Sequence, residues 1–357
     1  MKARAALADG KGGFFIDDID VGEPGPNEVL IQIKASGVCH TDHKILYRQS
    51  LCIMGHEGAG VVLKTGPGVR KVAAGDRVLL NWAMPCGECY YCQNGLQNVC
   101  EAKPAVSPER FNYKGRALTT SFGLGTMSTA TIVPVQAVIK IDVEIPFTSA
   151  CTMGCCVMTG YGSVHNVAKV QAGQSVVVIG TGAVGLCTIQ GARIAGAAKI
   201  IGVDVKPNKL KMAERFGATH TLLADRHDEG LAAAAIKIKA LTDGRGADFA
   251  FECTSVPALG AAPLAMVRHG GMAVQISGIE EKVKIDMELF EWDKTYINPL
   301  YGKCQPERDF PKLLELYSQK KLMLDEMVTG IYKLDQLKQA FDDMFQGVNA
   351  KAVLTME

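Results

Sequence analysis

No stretch of the 357-residue chain stays apolar for the length needed to cross a bilayer, so no membrane-spanning helix is expected. Neither sign of charge is in excess. With 38 Lys and Arg against 37 Asp and Glu, no net field gathers nucleic acid or an anionic membrane surface. The first ten residues are broken by Asp9 and lack the apolar core of a secretory signal. Internal repeats and low-complexity segments are missing as well. These absences point to a cytoplasmic protein without a nucleic-acid or membrane partner. What is present is a 48% hydrophobic composition, enough for a large core, in a length that suits about two domains. Twelve cysteines without an export signal fit a reducing compartment.

Four of those cysteines lie close together, in Cys86-Gly-Glu-Cys89-Tyr-Tyr-Cys92-Gln-Asn-Gly-Leu-Gln-Asn-Val-Cys100. Short Cys-x-x-Cys spacings in such a chain favour metal over two disulfides. Four thiolates close a tetrahedral shell around zinc and leave no position for substrate. The quartet is therefore expected to be a structural staple.

Up to about Ala150 the chain reads as short β-type runs, Val29–Ala35, Gly60–Thr65 and Asp76–Leu80, separated by Gly/Pro/Asn turn signals. From about Val170 strands alternate with helix-like segments: Ser175–Ile179, Ala183–Ala195, Lys199–Asp204, Pro207–Phe216, Thr221–Leu223, Ala247–Glu252 and Met272–Ser277. That rhythm implies an α/β, doubly wound parallel sheet. After about Thr295, two amphipathic segments and a last strand, Ala352–Thr355, are expected to return to the first domain.

The first strand of the second half runs into Gly180-Thr-Gly182-Ala183-Val184-Gly185, and the next strand ends in Asp204. Strand, glycine turn, helix and downstream acid form the dinucleotide fingerprint. Gly180 permits the turn, Gly182 admits the pyrophosphate to the helix N-terminus, and Gly185 lets helix and strand pack. Asp204 would accept the ribose hydroxyls and repel a 2′-phosphate, favouring NAD over NADP. Lys209, one turn into the next helix, is within reach of the same ribose.

Outside the quartet, Cys39-His40-Thr41-Asp42-His43, Gly55-His56-Glu57 and Gly154-Cys155-Cys156 carry the types a catalytic zinc needs: three protein ligands and one open position. Cys39, His56 and either Cys155 or Cys156 qualify, provided the fold brings them together.

Taken together these elements resemble a zinc-dependent medium-chain alcohol dehydrogenase, of the medium-chain dehydrogenase/reductase superfamily. They stand nearest to the aryl and primary alcohol dehydrogenases and to the glutathione-dependent formaldehyde dehydrogenase branch. The resemblance spans essentially the whole chain. It implies a GroES-like β-rich catalytic domain at 1–155 with a structural zinc lobe at 86–100, a Rossmann domain binding NAD at 156–295, and a C-terminal segment at 296–357 that returns to the first domain. It implies two zinc ions per chain, with Cys39, His56 and Cys155 on the catalytic one, Glu57 behind the metal, and Cys86, Cys89, Cys92 and Cys100 on the structural one. Cys155 is the aligned cysteine because it follows Gly154 and lies four residues before Thr159.

The resemblance also implies that Asp42 orients His56 and that Thr41 takes the proton of the substrate hydroxyl. His40 and Lys351 fall near the cofactor pyrophosphate, and Thr159 near the nicotinamide. Many relatives end the proton relay at a histidine where this chain has Lys44, which leaves His43, the preceding residue, or water to end it. Trp82 and Ile279 are expected to line the substrate pocket. The implied reaction is NAD-linked oxidation of primary, apolar or aryl alcohols to aldehydes, by hydride transfer from a zinc-bound alkoxide. A thiol-adduct (S-hydroxymethyl-glutathione type) formaldehyde dehydrogenase is the rival, although residues 44–54 contain no acid to meet a peptide thiol. An alternative of another class is a catalytically silent or redox-sensing relative. A homodimer or homotetramer is expected.

Overall fold

The computed structural model describes residues 1–48 and 50–356. The chain folds as two units, Met1–Cys155 with Gln305–Glu357, and Cys156–Cys304.

The first unit is built mainly of strands: β1 (Lys2–Asp9), β2 (Phe14–Val21), β3 (Glu28–Gly37), then helix α1 (His40–Ile45), β4 (Ser50–Ile53), β5 (Gly58–Thr65), β6 (Arg77–Leu80), α2 (Tyr90–Gln93), β7 (Phe111–Tyr113), β8 (Arg116–Ala117), β9 (Thr119–Thr120), β10 (Ala130–Pro134), β11 (Val138–Lys140) and α3 (Phe147–Thr152). Two sheets result. One has the order β8-β7-β2-β1-β4-β9. Its inner face, with Leu7, Ile19, Ile53 and Phe111, packs on Leu30 and Ile132 of the other. In that second sheet β3 is central. Its first half pairs with β10 through Leu30↔Ile132, and along its other edge β5 runs antiparallel.

The second unit holds α4 (Met158–Gly162), β12 (Ser175–Ile179), α5 (Ala183–Ile194), β13 (Lys199–Asp204), α6 (Pro207–Phe216), β14 (His220–Leu223), α7 (Ala232–Leu241), β15 (Ala247–Glu252), α8 (Ala262–Met266), β16 (Val267–Gln275) and β17 (Thr295–Ile297). All strands of its sheet are parallel, in the order β14-β13-β12-β15-β16-β17. The unbroken apolar run of β12, with Val176–Ile179 all buried, is what a strand covered on both faces requires. Local chemistry sets the helix ends: α6 starts at Pro207 and stops at Gly217 with φ +118°, the Pro-first, Gly-last asymmetry of helices.

The chain then returns to the first unit with α9 (Pro306–Ser318), β18 (Val328–Lys333), α10 (Leu337–Gln346) and β19 (Lys351–Thr355). The return comes at Gln305, later than the boundary expected after residue 295, because residues 295–297 form β17 and complete the edge of the parallel sheet. β19 enters the sheet of the first unit between β3 and β18, in register Val353↔Gly37. No helix among the described residues is long and apolar enough to cross a membrane.

Candidate active site

Three places in the first unit converge on one point. The end of β3 and the start of β5 are antiparallel neighbours, Ser36 opposite Gly58, and the Gly37 amide donates to the Glu57 carbonyl at 2.8 Å. This register places Cys39, just past β3, beside His56, just before β5. The third strand of chain follows α3, where residues Met153–Val157 form one wide helical turn. Gly154 is needed there: a Cβ would stand 2.3 Å from the Leu80 carbonyl oxygen at the end of β6. The close approach delivers Cys155. The ligand atoms of Cys39, His56, Glu57 and Cys155 all lie within 4.8 Å of one another. Cys156, the alternative cysteine, is buried and lies outside this group.

Asp42 has two partners. One carboxylate oxygen accepts from the Cys39 amide at 3.0 Å, capping α1, and the other lies 2.8 Å from His56 Nδ1. With Nδ1–H donated to the carboxylate, the Nε2 lone pair is left for a metal. The protons of the cluster are shared. The hydrogen bond from Cys155, against burial and with help from His56, holds the Cys39 thiol well below its usual range. Cys155 is pushed up by the same contact. Burial disfavours charge on His56, but Asp42 and then Cys39 outweigh it and raise the imidazole well above its ordinary range, so a metal arriving at Nε2 displaces a proton to gain that lone pair.

Glu57 and Lys351 stand behind this group. Lys351 Nζ lies 2.8 and 2.7 Å from the two Glu57 oxygens and donates to the Val38 carbonyl at 3.0 Å. Both side chains are buried, with 4% and 0% exposed. Lys351, expected near a cofactor pyrophosphate, pairs with Glu57, because β19 inserts beside β3. The ammonium matches the Glu57 charge, so the pair sits behind the cluster as a neutral unit.

The four thiols of the lobe form the second cluster, again within 4.8 Å of one another. Cys86 and Cys92 sulfurs are 3.9 Å apart and Cys89 and Cys100 sulfurs 3.8 Å. That is too long for a disulfide and close to the roughly 3.8 Å edge of a tetrahedron with 2.3 Å zinc–sulfur bonds. The amides of Glu88 and Cys89 point at Cys86 sulfur, and that of Cys86 at Cys100 sulfur. The Cys89 thiol is lowered to about 6, chiefly by the Cys92 amide. Donor set, spacing and amide support all fit a metal-bound thiolate shell.

An aromatic wall adjoins His56. Trp82 is almost wholly buried, and the Phe122 ring packs 5.4 Å from it and 4.9 Å from the imidazole. Phe122 belongs to no motif; its backbone at φ +53°, next to Gly123, turns its ring toward His56. Lys103 Nζ sits 5.4 Å from the Trp82 ring, and burial lowers its pKa. Thr41 is half-buried in the first turn of α1. His40 is exposed with its ring on Phe345. His43 packs edge-on among Tyr47, Phe341 and Phe345, at 5.8, 5.8 and 4.7 Å.

The second unit carries the glycine turn. Gly180 has φ +86°, a Cβ on Gly185 would stand 2.0 Å from the Gly180 carbonyl oxygen, and a Cβ on Gly182 would meet nothing within 4 Å. The backbone is thus tight where strand meets helix and open at the head of α5, where Ala183 and Val184 are half-buried. Asp204 accepts from the Thr181 amide and hydroxyl at 2.9 and 3.1 Å and from the Lys206 amide at 3.0 Å, so it braces the turn as well as facing it. Lys209 is half-buried on α6, and Thr159 half-buried on α4. Ile279 lies beside Gly260.

Residues 25–143 match the family model described as alcohol dehydrogenase GroES-like domain, and residues 183–319 that described as zinc-binding dehydrogenase. The S-(hydroxymethyl)glutathione dehydrogenase of Escherichia coli O1:K1 is 35% identical over 371 residues, covering 99% of this chain and 100% of its own. An alcohol dehydrogenase zinc-binding domain protein from Burkholderia ambifaria has a TM-score of 0.91 at 30% identity, covering 100% of this chain and 99% of its own. The benzyl alcohol dehydrogenase of Acinetobacter calcoaceticus has a TM-score of 0.91 at 27% identity, with both chains fully covered.

Proposed function

The chain belongs to the zinc-dependent medium-chain dehydrogenase superfamily, and on that premise we propose that it is an NAD-linked alcohol dehydrogenase. In this reading it interconverts primary alcohols bearing an apolar or aryl substituent with their aldehydes. The observation that carries the reading is the convergence of Cys39, His56 and Cys155 beside the Trp82–Phe122 wall. Two thiols and an imidazole suit zinc, and the four-thiol lobe takes the remaining metal role, so three ligands are left with a side facing aromatic rings.

Zinc, when bound, supplies Lewis acidity toward a substrate oxygen, and NAD supplies the hydride acceptor. The chain's own residues do the rest. Asp42 fixes the His56 tautomer. The Thr41 hydroxyl, two residues after the first ligand, takes the substrate's proton and passes it outward. Glu57 and Lys351 sit behind the centre as a neutral pair. Trp82 and Phe122 offer flat apolar surface for the substituent and exclude water. The open face at Gly182 admits a pyrophosphate at the head of α5, and Asp204 sets NAD above NADP.

A second reading, oxidation of S-hydroxymethyl-glutathione, is supported by the E. coli relative. Residues 44–54, free of acids, weigh against it. A steady-state panel of alcohols and aldehydes with NAD(H), with and without glutathione, separates the two. Benzyl or aliphatic alcohols turning over without glutathione are expected. Turnover only of formaldehyde with glutathione would replace the first reading by the second. Bound zinc without turnover of any substrate would remove both.

A further inference from the structure

The parallel sheet of the second unit ends in a buried acid that the dinucleotide fingerprint does not use. Glu252, the last residue of β15, is 0% exposed. It stands opposite Ile179 in register, the residue before Gly180. The strand order reverses between β12 and β15, so Glu252 lies at the topological switch point, where open α/β sheets bind their ligands. The Thr254 amide donates to its carboxylate at 2.5 Å, and the hydroxyls of Thr254 and Ser277 are hydrogen-bonded to it as well. The Thr254 methyl lies where a Cβ on Gly180 would fall, 2.6 Å away. The cluster is therefore in contact with the glycine turn.

An amide can only donate and hydroxyls rotate to donate, so this ring of partners fits an ionised carboxylate. Burial outweighs these hydrogen bonds and leaves the Glu252 carboxyl above its ordinary range, while the bonds from Ser277 and Thr254 pull it back toward the ionised form. The largest influences on it are burial and these hydrogen bonds rather than a cation. A buried carboxylate without a cation is costly. A compensating positive charge exists in one half of the cofactor proposed above. Asp204 places the adenosine half over β12–β14, and the fold's two mononucleotide halves then set the nicotinamide half over β15–β17. The oxidised ring is cationic and the reduced ring neutral.

We propose, building on the NAD reading, that Glu252 is a selector of cofactor redox state: its fixed negative charge at the switch point favours binding of NAD+ over NADH. It touches no reacting atom and acts through the field it places under the nicotinamide half.

The test is a pair of dissociation constants, for NAD+ and for NADH, titrated separately on the wild type and on E252Q. The isosteric amide keeps an acceptor for Thr254 and removes the charge. A unit charge several ångströms from the ring in a partly shielded site predicts a rise of about five- to tenfold in the Kd of NAD+, with NADH held within about twofold. NADH binding thus also reports that the fold survives. Equal weakening of both, or no change in either, would overturn the assignment and leave Glu252 a brace for the loops after β15 and β16. E252D retains the charge and is expected to keep the NAD+/NADH ratio within about twofold of wild type; loss of the ratio there would show that shape, not charge, sets it. A wild type that binds neither nucleotide would sink the NAD reading itself, a result distinct from a failure at Glu252.

Discussion

Asp42 and Asp204 show how much one carboxylate can do when both its oxygens are used. Asp42 caps α1 and orients His56 with the same group. D42N is expected to leave the helix cap largely intact and to weaken metal retention at the Cys39 site about 10- to 100-fold. Competition with a chelator measures this, and unchanged retention would take Asp42 out of the orienting role. Asp204 holds Thr181, so D204A should both relax discrimination against NADP and lower thermal stability, the latter by about 1 kcal/mol for a lost turn-capping acceptor. Unchanged Kd values for the two nucleotides would mean another residue sets the preference. Lys351 and Glu57 form a sealed ion pair. Removing one partner leaves a buried charge uncompensated, at about 3–5 kcal/mol. K351M should therefore unfold at markedly lower denaturant than wild type, and the double variant K351M/E57Q should recover most of the loss. A double variant no better than K351M would show that packing, not charge, is at stake.

At the level of elements, the lobe around α2 is a loop organised by sulfur. C92S should lower the melting temperature and remove any metal held by the lobe, while molecules that remain folded keep the turnover proposed for the other cluster. Loss of kcat with full metal content and unchanged melting would give the lobe a part in the chemistry. Helix α9 is tied at its C-terminal end: Tyr317 donates to Asp325 at 2.9 and 3.0 Å, and Asp325 also accepts from Ser149 on α3 at 2.5 Å. Burial first, then Asp325, pushes the Tyr317 phenol up to about 12. The folded state thus prefers the protonated phenol. Its contribution is complete below the ordinary value near 10 and disappears as pH rises through about 12. Melting curves of wild type and Y317F should differ at pH 9 and converge toward pH 12; a constant gap would assign the difference to packing.

For the whole molecule, the most consequential feature is the return of the chain. β19 lies between β3 and β18 and brings Lys351 against Glu57, beside the cluster of Cys39, His56 and Cys155. A chain terminated after Gly347 should lack a stable first unit, seen as loss of cooperative melting. The elements themselves were legible along the sequence: α6, β12, β13 and β15 begin and end where Pro, Gly and apolar runs mark them, and the two cysteine-bearing motifs advertise metal by residue type. Those signals are local, fixed by side-chain period, backbone freedom and ligand chemistry within a few residues. The convergence of Cys39, His56 and Cys155, the Lys351–Glu57 pair, the place of Phe122 beside His56 and the burial of Glu252 at the switch point were decided only by tertiary structure. Each depends on strand register and on chain segments far apart in sequence, and a one-residue slip of β3 against β5 or β19 would undo the first two while leaving every local pattern unchanged.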